Sequence, residues 1–371
     1  MRTTNFPATS GSIAKTHRLD RYGISRLLKN VFAVAGLAVG VVGMSPTPAP
    51  AQAEPEWLTT VNAYRAASGV RPITNDPLLQ SGVDKHVQYL AATASVIHDE
   101  DPTNPLYTAE GARAARQSLL GGWQGADRSD REIIEDWMAA PFHAAHLLEP
   151  RLQRGAYTST HRAGGELTVA GVINVIGGIG KKVTVKEPIL FPGRGSTVPM
   201  TSFLSEVPNP LTACPGYVSP AGLPILATFP TAPSAAIATF SQAGKTLDAC
   251  VIDRGYINPD AGSQATGRQL MTQKNLVMII PRSPLTAGTT YDVVVDAGTA
   301  GKVSWSFNVG TATAGLPAPL ASPVTVSGGA PASAALAPTS APAPAPVKIV
   351  EVKGAAAKTT AAKKLEVKKK K

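Results

Sequence analysis

At Pro150 the texture of the chain changes, and no other feature narrows its possible folds as much. Upstream, apolar residues recur every three or four positions. Downstream, β-branched residues crowd together between glycines. Trp57, Leu58, Val61 and Tyr64 share one helical face, and Leu79, Val83, Val87 and Leu90 share another. Asp76 followed by Pro77 reads as the N-cap and first position of that second helix. Ser129 and Glu132 have capping-box spacing ahead of Ile133, Ile134, Trp137 and Met138. Residues 54–125 therefore read as helical, with another helix from Ser129 onward. After Pro150, GAYTSTH and LTVAGVINVIGG predict strands. Helices first and strands afterwards imply an α+β domain, with helices packed on an antiparallel sheet.

The stretch FPGRGSTVP, from Phe191 to Pro199, is too rich in glycine and proline for either element, so residues 188–214 read as a linker. Between 215 and 310, PILATF, AIATFSQ, LVMIIP, YDVVVDA and VSWSFNV are short strands separated by turns. That spacing predicts a small all-β sandwich. Residues 311–345 form an Ala/Pro-rich tract with too little bulky apolar surface to offset ordering entropy, which predicts a disordered linker. A lysine-rich tail, 346–371, follows.

The beginning reads as a signal peptide over residues 1–53. Arg21, Arg26 and Lys29 precede the uncharged run NVFAVAGLAVGVVGM, and Ala51-Gln52-Ala53 is a small-x-small cleavage signal. The run is shorter than the roughly 20 residues a membrane span needs, although an uncleaved anchor stays open. Cys214 and Cys250 suit an oxidising compartment, where they would pair; two free buried thiols are the alternative. The formal charge of +10 sits at the ends: +5 from residues 1–53 and +7 from residues 346–371 leave 10 − 5 − 7 = −2 between them. A body so near neutral offers no broad basic face for nucleic acid.

Chemistry is most concentrated in EIIEDWMAAPFHAAHLLEP, residues 132–150, which holds two of the six histidines. His143 and His146 lack the His-Glu-x-x-His spacing of a zinc protease. His86, beside Val87, reads as a packed helix residue, and His161 ends a predicted strand. Ser202 and Ser205 have no G-x-S-x-G context, and GGIGKKV has the wrong spacing for a phosphate loop and reads as a hairpin turn. Trp123, Trp137 and Tyr157 read as core or cleft walls.

Five pieces in order carry a resemblance. VNAYRAASGVRPITNDPLLQSGVDKHVQYL, IHDED, TAEGARAA, IIEDWMAAPFHAAHLLEP and RGAYTS together resemble the CAP superfamily in its bacterial form, the cysteine-rich secretory, antigen-five and pathogenesis-related proteins. The resemblance implies an α-β-α sandwich over 54–187. It also implies a cleft gathering two histidines and two acids, which fall on His98, Glu110, Glu135 and His143. AEG stands where the family has GEN, and APFH where it has SPGH. Residues 215–310 resemble a bacterial immunoglobulin-like module through LTAGTTYDVVV and VSWSFNV.

Such a tetrad would either hold a divalent metal such as zinc, with His98 and His143 as ligands, or form a hydrogen-bonded polar cluster. Three functions follow. The first is an extracellular binding module taking a hydrophobic or lipid ligand, or a partner protein, through the cleft. The second is a metal-assisted hydrolase with Glu110 or Glu135 as general base. The third is a structural cell-surface protein. No catalytic nucleophile is assigned, and the resemblance favours binding. The expected location is secreted, with cell-envelope association through the lysine tail if it meets an anionic surface polymer.

Overall fold

The computed structural model describes residues 53–125, 127–162 and 167–310. The apolar run expected to be a signal peptide, the Ala/Pro tract expected to be disordered and the lysine-rich tail lie outside the described residues. The described residues belong to one compact unit.

Its first half alternates helices and strands: α1 (Glu56–Ala67), β1 (Thr74–Asn75), α2 (Pro77–Thr93), α3 (Ala109–Ala115), β2 (Ser118–Trp123), α4 (Asp130–Ala139), α5 (Pro141–Leu147), β3 (Arg154–His161) and β4 (Val169–Asn174). The sheet order is β1-β3-β4-β2, with β1 parallel to β3 and the other pairs antiparallel. Side chains alternate across it. Val169 and Ile173 of β4, with Leu119, Trp123 and Tyr157, join a core with Trp57, Ile133 and Trp137 from α1 and α4. Ala170 and Val172, with Leu120 and Ala156, join Val83, Val87 and Leu90 of α2. Helices thus cover both faces. Gly171 permits the close approach of α4, since an added Cβ would lie 3.1 Å from Ile133.

The caps follow the sequence. Asp76 accepts from the Leu78 N–H, and Ser129 and Glu132 form a reciprocal capping box. The uniformly helical reading of 54–125 fails at β2, where SLLGGW is a strand. Two glycines hid it, and close packing requires them. A Cβ on Gly121 would lie 2.2 Å from the Trp123 ring, and one on Gly122 would lie 2.5 Å from Val96.

The second half contains β5 (Ile189–Phe191), β6 (Thr197–Val198), β7 (Ser202–Phe203), β8 (Ala221–Gly222), β9 (Ile225–Thr228), β10 (Ile237–Gln242), β11 (Lys245–Leu247), β12 (Ala249–Ile252), α6 (Ala261–Gln273), β13 (Leu276–Pro281), β14 (Thr289–Asp296) and β15 (Lys302–Val309). One sheet runs β11-β10-β14-β15-β6, another β12-β13-β9-β5, and β7 pairs with β8. Cys214 bridges to Cys250 on β12, with Cα atoms 5.8 Å apart.

Two expectations are corrected here. Residues 188–214 are not a linker: β5 and β6 belong to the two main sheets, and Phe191 and Phe203 are each 1% exposed. Strands of two or three residues leave no alternation to read. The region 215–310 is also not all-β, because α6 interrupts it. Asp260 caps α6 by accepting from the Ser263 N–H. Only Gly267 and Met271 of α6 are fully buried, which is too sparse an apolar stripe to stand out in sequence.

The two halves share their core. Phe142 meets Tyr256 edge-on at 5.7 Å, and Tyr64 meets Phe191 at 6.1 Å. Gly193 rests on the end of α1, where a Cβ would lie 1.9 Å from the Ala67 carbonyl oxygen.

Candidate functional site

His98 lies in the loop between α2 and α3, and its Nδ1 donates to the Ala115 carbonyl at 2.8 Å. Burial pushes its pKa below the ordinary value, and the neighbouring His143 and His86 push the same way. His143 sits on the first turn of α5, with Nδ1 2.8 Å from Glu206 Oε2. His146, one turn on, is driven down to about 3 by burial, then by Lys274 and His143. His143 thus lies close enough to His98 and His146 to disfavour their protonation.

The two acids are placed differently. Glu110, on α3, pairs with Lys85 and accepts from Ser81 Oγ at 3.1 Å. Glu135, on α4, accepts from Arg131 Nε at 2.8 Å and from the Tyr64 hydroxyl at 3.4 Å. No hydrogen bond or ion pair joins any two of His98, Glu110, Glu135 and His143. No three His, Cys, Asp or Glu side chains among the described residues are placed to hold a metal ion. As arranged, the set does not present the ligands a divalent cation such as zinc needs.

The buried partners of the histidines are other acids. Glu206 is 1% exposed at its side chain and accepts from the backbone N–H groups of Phe142 and His143 as well as from the ring. It therefore does what Ala140, the N-cap of α5, cannot: it satisfies open donors at the helix start and sets a negative charge at the positive end of the dipole. Inside the first half, His86 Nδ1 lies 2.9 Å from Glu100 Oε1 and its Nε2 lies 3.1 Å from the Ile97 carbonyl. Glu100 also accepts from the Thr108 N–H at 3.1 Å. Gly111 is required there, since a Cβ would lie 2.6 Å from Glu100.

Sequence reasoning missed Glu206 because it lies in the expected linker. It missed Glu100 because IHDED offers three carboxylates without a periodicity to choose among them. Lys274 is the third such residue: from the end of α6 it reaches across the halves to Glu149 at 3.0 Å. Burial alone would raise Glu149, but Arg151 and Lys274 outweigh it and hold the carboxyl at about 2.

Open space lies elsewhere. A cavity of about 550 Å³ is bounded by the α1 C-terminus and the loop after it, by the segment from Val183 to Leu190, and by Arg194 and Val303. Val70, Ile189 and Leu190 are buried in its aliphatic wall. Arg65 fixes that wall. Fully buried, it donates to the carbonyls of Arg71, Leu147, Glu149 and Leu152, while its own carbonyl accepts from the Val70 N–H at 2.8 Å. Burial brings its pKa down to about 10, below the usual guanidinium range.

Residues 58–170 match the family model described as CAP, the cysteine-rich secretory protein family. The match begins in α1 and ends in β4, so it covers the loop that carries His98 and the helices that carry Glu110, Glu135 and His143. A search of curated proteins found no match.

Proposed function

We propose that this CAP-domain protein is an exported binding module rather than a hydrolase. It takes an apolar, lipid-like ligand in the cavity where the CAP domain meets the strand-rich half. The supporting observation is the cavity itself: about 550 Å³ falls within the roughly 300–1,000 Å³ typical of small-ligand sites, and its wall is mainly aliphatic. The candidate cleft supports chemistry less well. Glu110 and Glu135, the two proposed bases, each face a cation, and His98 and His143 each spend Nδ1 on an internal acceptor. Export is supported by the basic start, the apolar run and the small-x-small signal, and the bridged cysteines are compatible with it. The strand-rich half, proposed as immunoglobulin-like, would act as a rigid second wall, and the lysine tail would hold the protein to anionic envelope polymer.

The test is titration of the full chain with the neutral fluorescent probe N-phenyl-1-naphthylamine. The expected result is saturable binding that is weakened at least tenfold by Val185→Trp, which fills the cavity from an irregular, half-buried segment. Absence of saturable binding, or full binding by Val185→Trp with an unchanged melting temperature, would reject the reading. Hydrolysis of a model ester that disappears in His98→Ala would favour the hydrolase instead.

A further inference from the structure

The cavity wall is apolar, but its rim is charged, and the charge is one-sided. Arg71, Lys186 and Arg194 are cationic lining residues, and Glu187 is anionic. All four are exposed. Their sum, +3 − 1 = +2, is a local excess in a body whose net charge is −2 by the sequence count. Arg194 donates to the Ser304 carbonyl. The side chains of Arg71 and Lys186 make no ion pair or hydrogen bond with another described residue, so their donors are open to a ligand.

Two of the three cations, Arg71 and Arg194, are also carried on anchored backbone. The Arg71 carbonyl is held by Arg65 Nε at 2.8 Å, which fixes the end of the loop that carries it. Arg194 follows Gly193, whose contact with the Ala67 carbonyl leaves no room for a side chain. Three separate segments therefore bring positive charge to one mouth. Also lining the cavity, Ser68 is 8% exposed and its hydroxyl lacks a hydrogen-bond partner among the described residues. That is a polar group the fold leaves unused, where buried polar atoms are ordinarily paired.

We infer that the cavity takes a single-chain amphiphile with a carboxylate head. The alkyl chain lies against Val70, Val185 and Leu190, and the head lies at Arg71, Lys186 and Arg194. Charge complementarity sets the sign of the head. With Glu187 counted, the rim still carries an excess of +2, and a monoanionic carboxylate is the simplest head that this excess accommodates. The chain's own lysine-rich end is excluded as occupant by its charge, +7 over residues 346–371. This inference rests on the binding function proposed above and adds selection by head group to it.

The experiment measures displacement of N-phenyl-1-naphthylamine from the full chain by decanoate and by decanol, which share a chain length and differ in charge. Decanoate should compete about tenfold better in low salt, and the advantage should shrink at 1 M salt, where the screening length falls to about 3 Å. Each added methylene should improve either competitor by up to about fourfold. The double variant Arg71→Gln/Lys186→Gln changes exposed side chains and should keep its melting temperature. It should lose most of the decanoate advantage and bind decanol as before. Equal competition by decanoate and decanol, or an undiminished advantage in the double variant, overturns the head-group inference and leaves apolar binding standing. If neither competitor displaces the probe although the probe binds, the ligand class is wrong. If the probe does not bind, the underlying function fails first.

Discussion

The histidine-bearing side of the half that matches the CAP family model and the cavity at its junction with the strand-rich half both gather charged groups, and they use them in opposite ways. Around the histidines, charges are consumed internally: Glu206 by the start of α5 and His143, Glu100 by His86, and Glu149 by Lys274 and Arg151. Around the cavity, Arg71 and Lys186 are exposed, and their side chains have no partner among the described residues. A polar group with its hydrogen bonds satisfied stabilises the fold, and using it elsewhere costs what it already contributes. An unpartnered cation beside an apolar hollow carries no such cost. In the reading proposed above, the groups around the histidines join the two halves, and the ligand is taken at the seam between them.

The most severe way to break this comparison is Arg65→Met. It removes one buried side chain that serves four carbonyls and holds the cavity loop. We expect a loss of about 4 kcal/mol or more, from orphaned acceptors at about 1–3 kcal/mol each, measured by urea unfolding. A change below about 1 kcal/mol would mean the junction wall is not held as described.

Glu206→Ala comes next and acts on the other region. It leaves the α5 N–H groups and the His143 ring without their acceptor, at an expected cost of about 2 kcal/mol. Probe binding at the cavity should stay within twofold. A collapse of binding in a variant that still folds would show that the two regions are not separate.

The smallest effect is expected at Asp136, whose carboxyl is pushed up to about 6 by burial, against the opposing pull of Arg128 and of the Trp123 N–H. Because the folded pKa lies above the unfolded one, near 3.9, its contribution is fully present below about pH 4 and lost as pH rises through about 6. Asp136→Asn should therefore be nearly neutral at pH 4 and stabilising at pH 7.5. With 29% of the side chain still exposed, the gain is discounted to about 1 kcal/mol. Unfolding curves at the two pH values that run parallel to the wild type would refute this.

How much of this was legible in the sequence depended on how locally each feature is encoded. The faces of α1 and α2, the Asp76 cap and the Ser129 capping box are written within a few residues of one another, and the helices follow them. Strand β2 was hidden by glycines whose reason lies in the Trp123 ring two residues on and in Val96 across space, and β5 and β6 by their shortness. The candidate histidines could be named from motif order, although no hydrogen bond or ion pair joins His98 to His143. Their acids could not be chosen that way. Glu206 follows His143 by 63 residues and Lys274 follows Glu149 by 125, so both partnerships depend on how the two halves dock. The cavity is likewise a product of docking, built from pieces as far apart as Arg71 and Val303.

The central claim is tested most directly by comparing decanoate binding in two full-length variants, Val185→Trp and His98→Ala/His143→Ala, each checked for an intact melting transition. The account predicts at least a tenfold loss for Val185→Trp and a change of less than twofold for the histidine pair. The reverse pattern, with binding lost on removal of the histidines and kept when the cavity is filled, would contradict it and return the ligand to the histidine side.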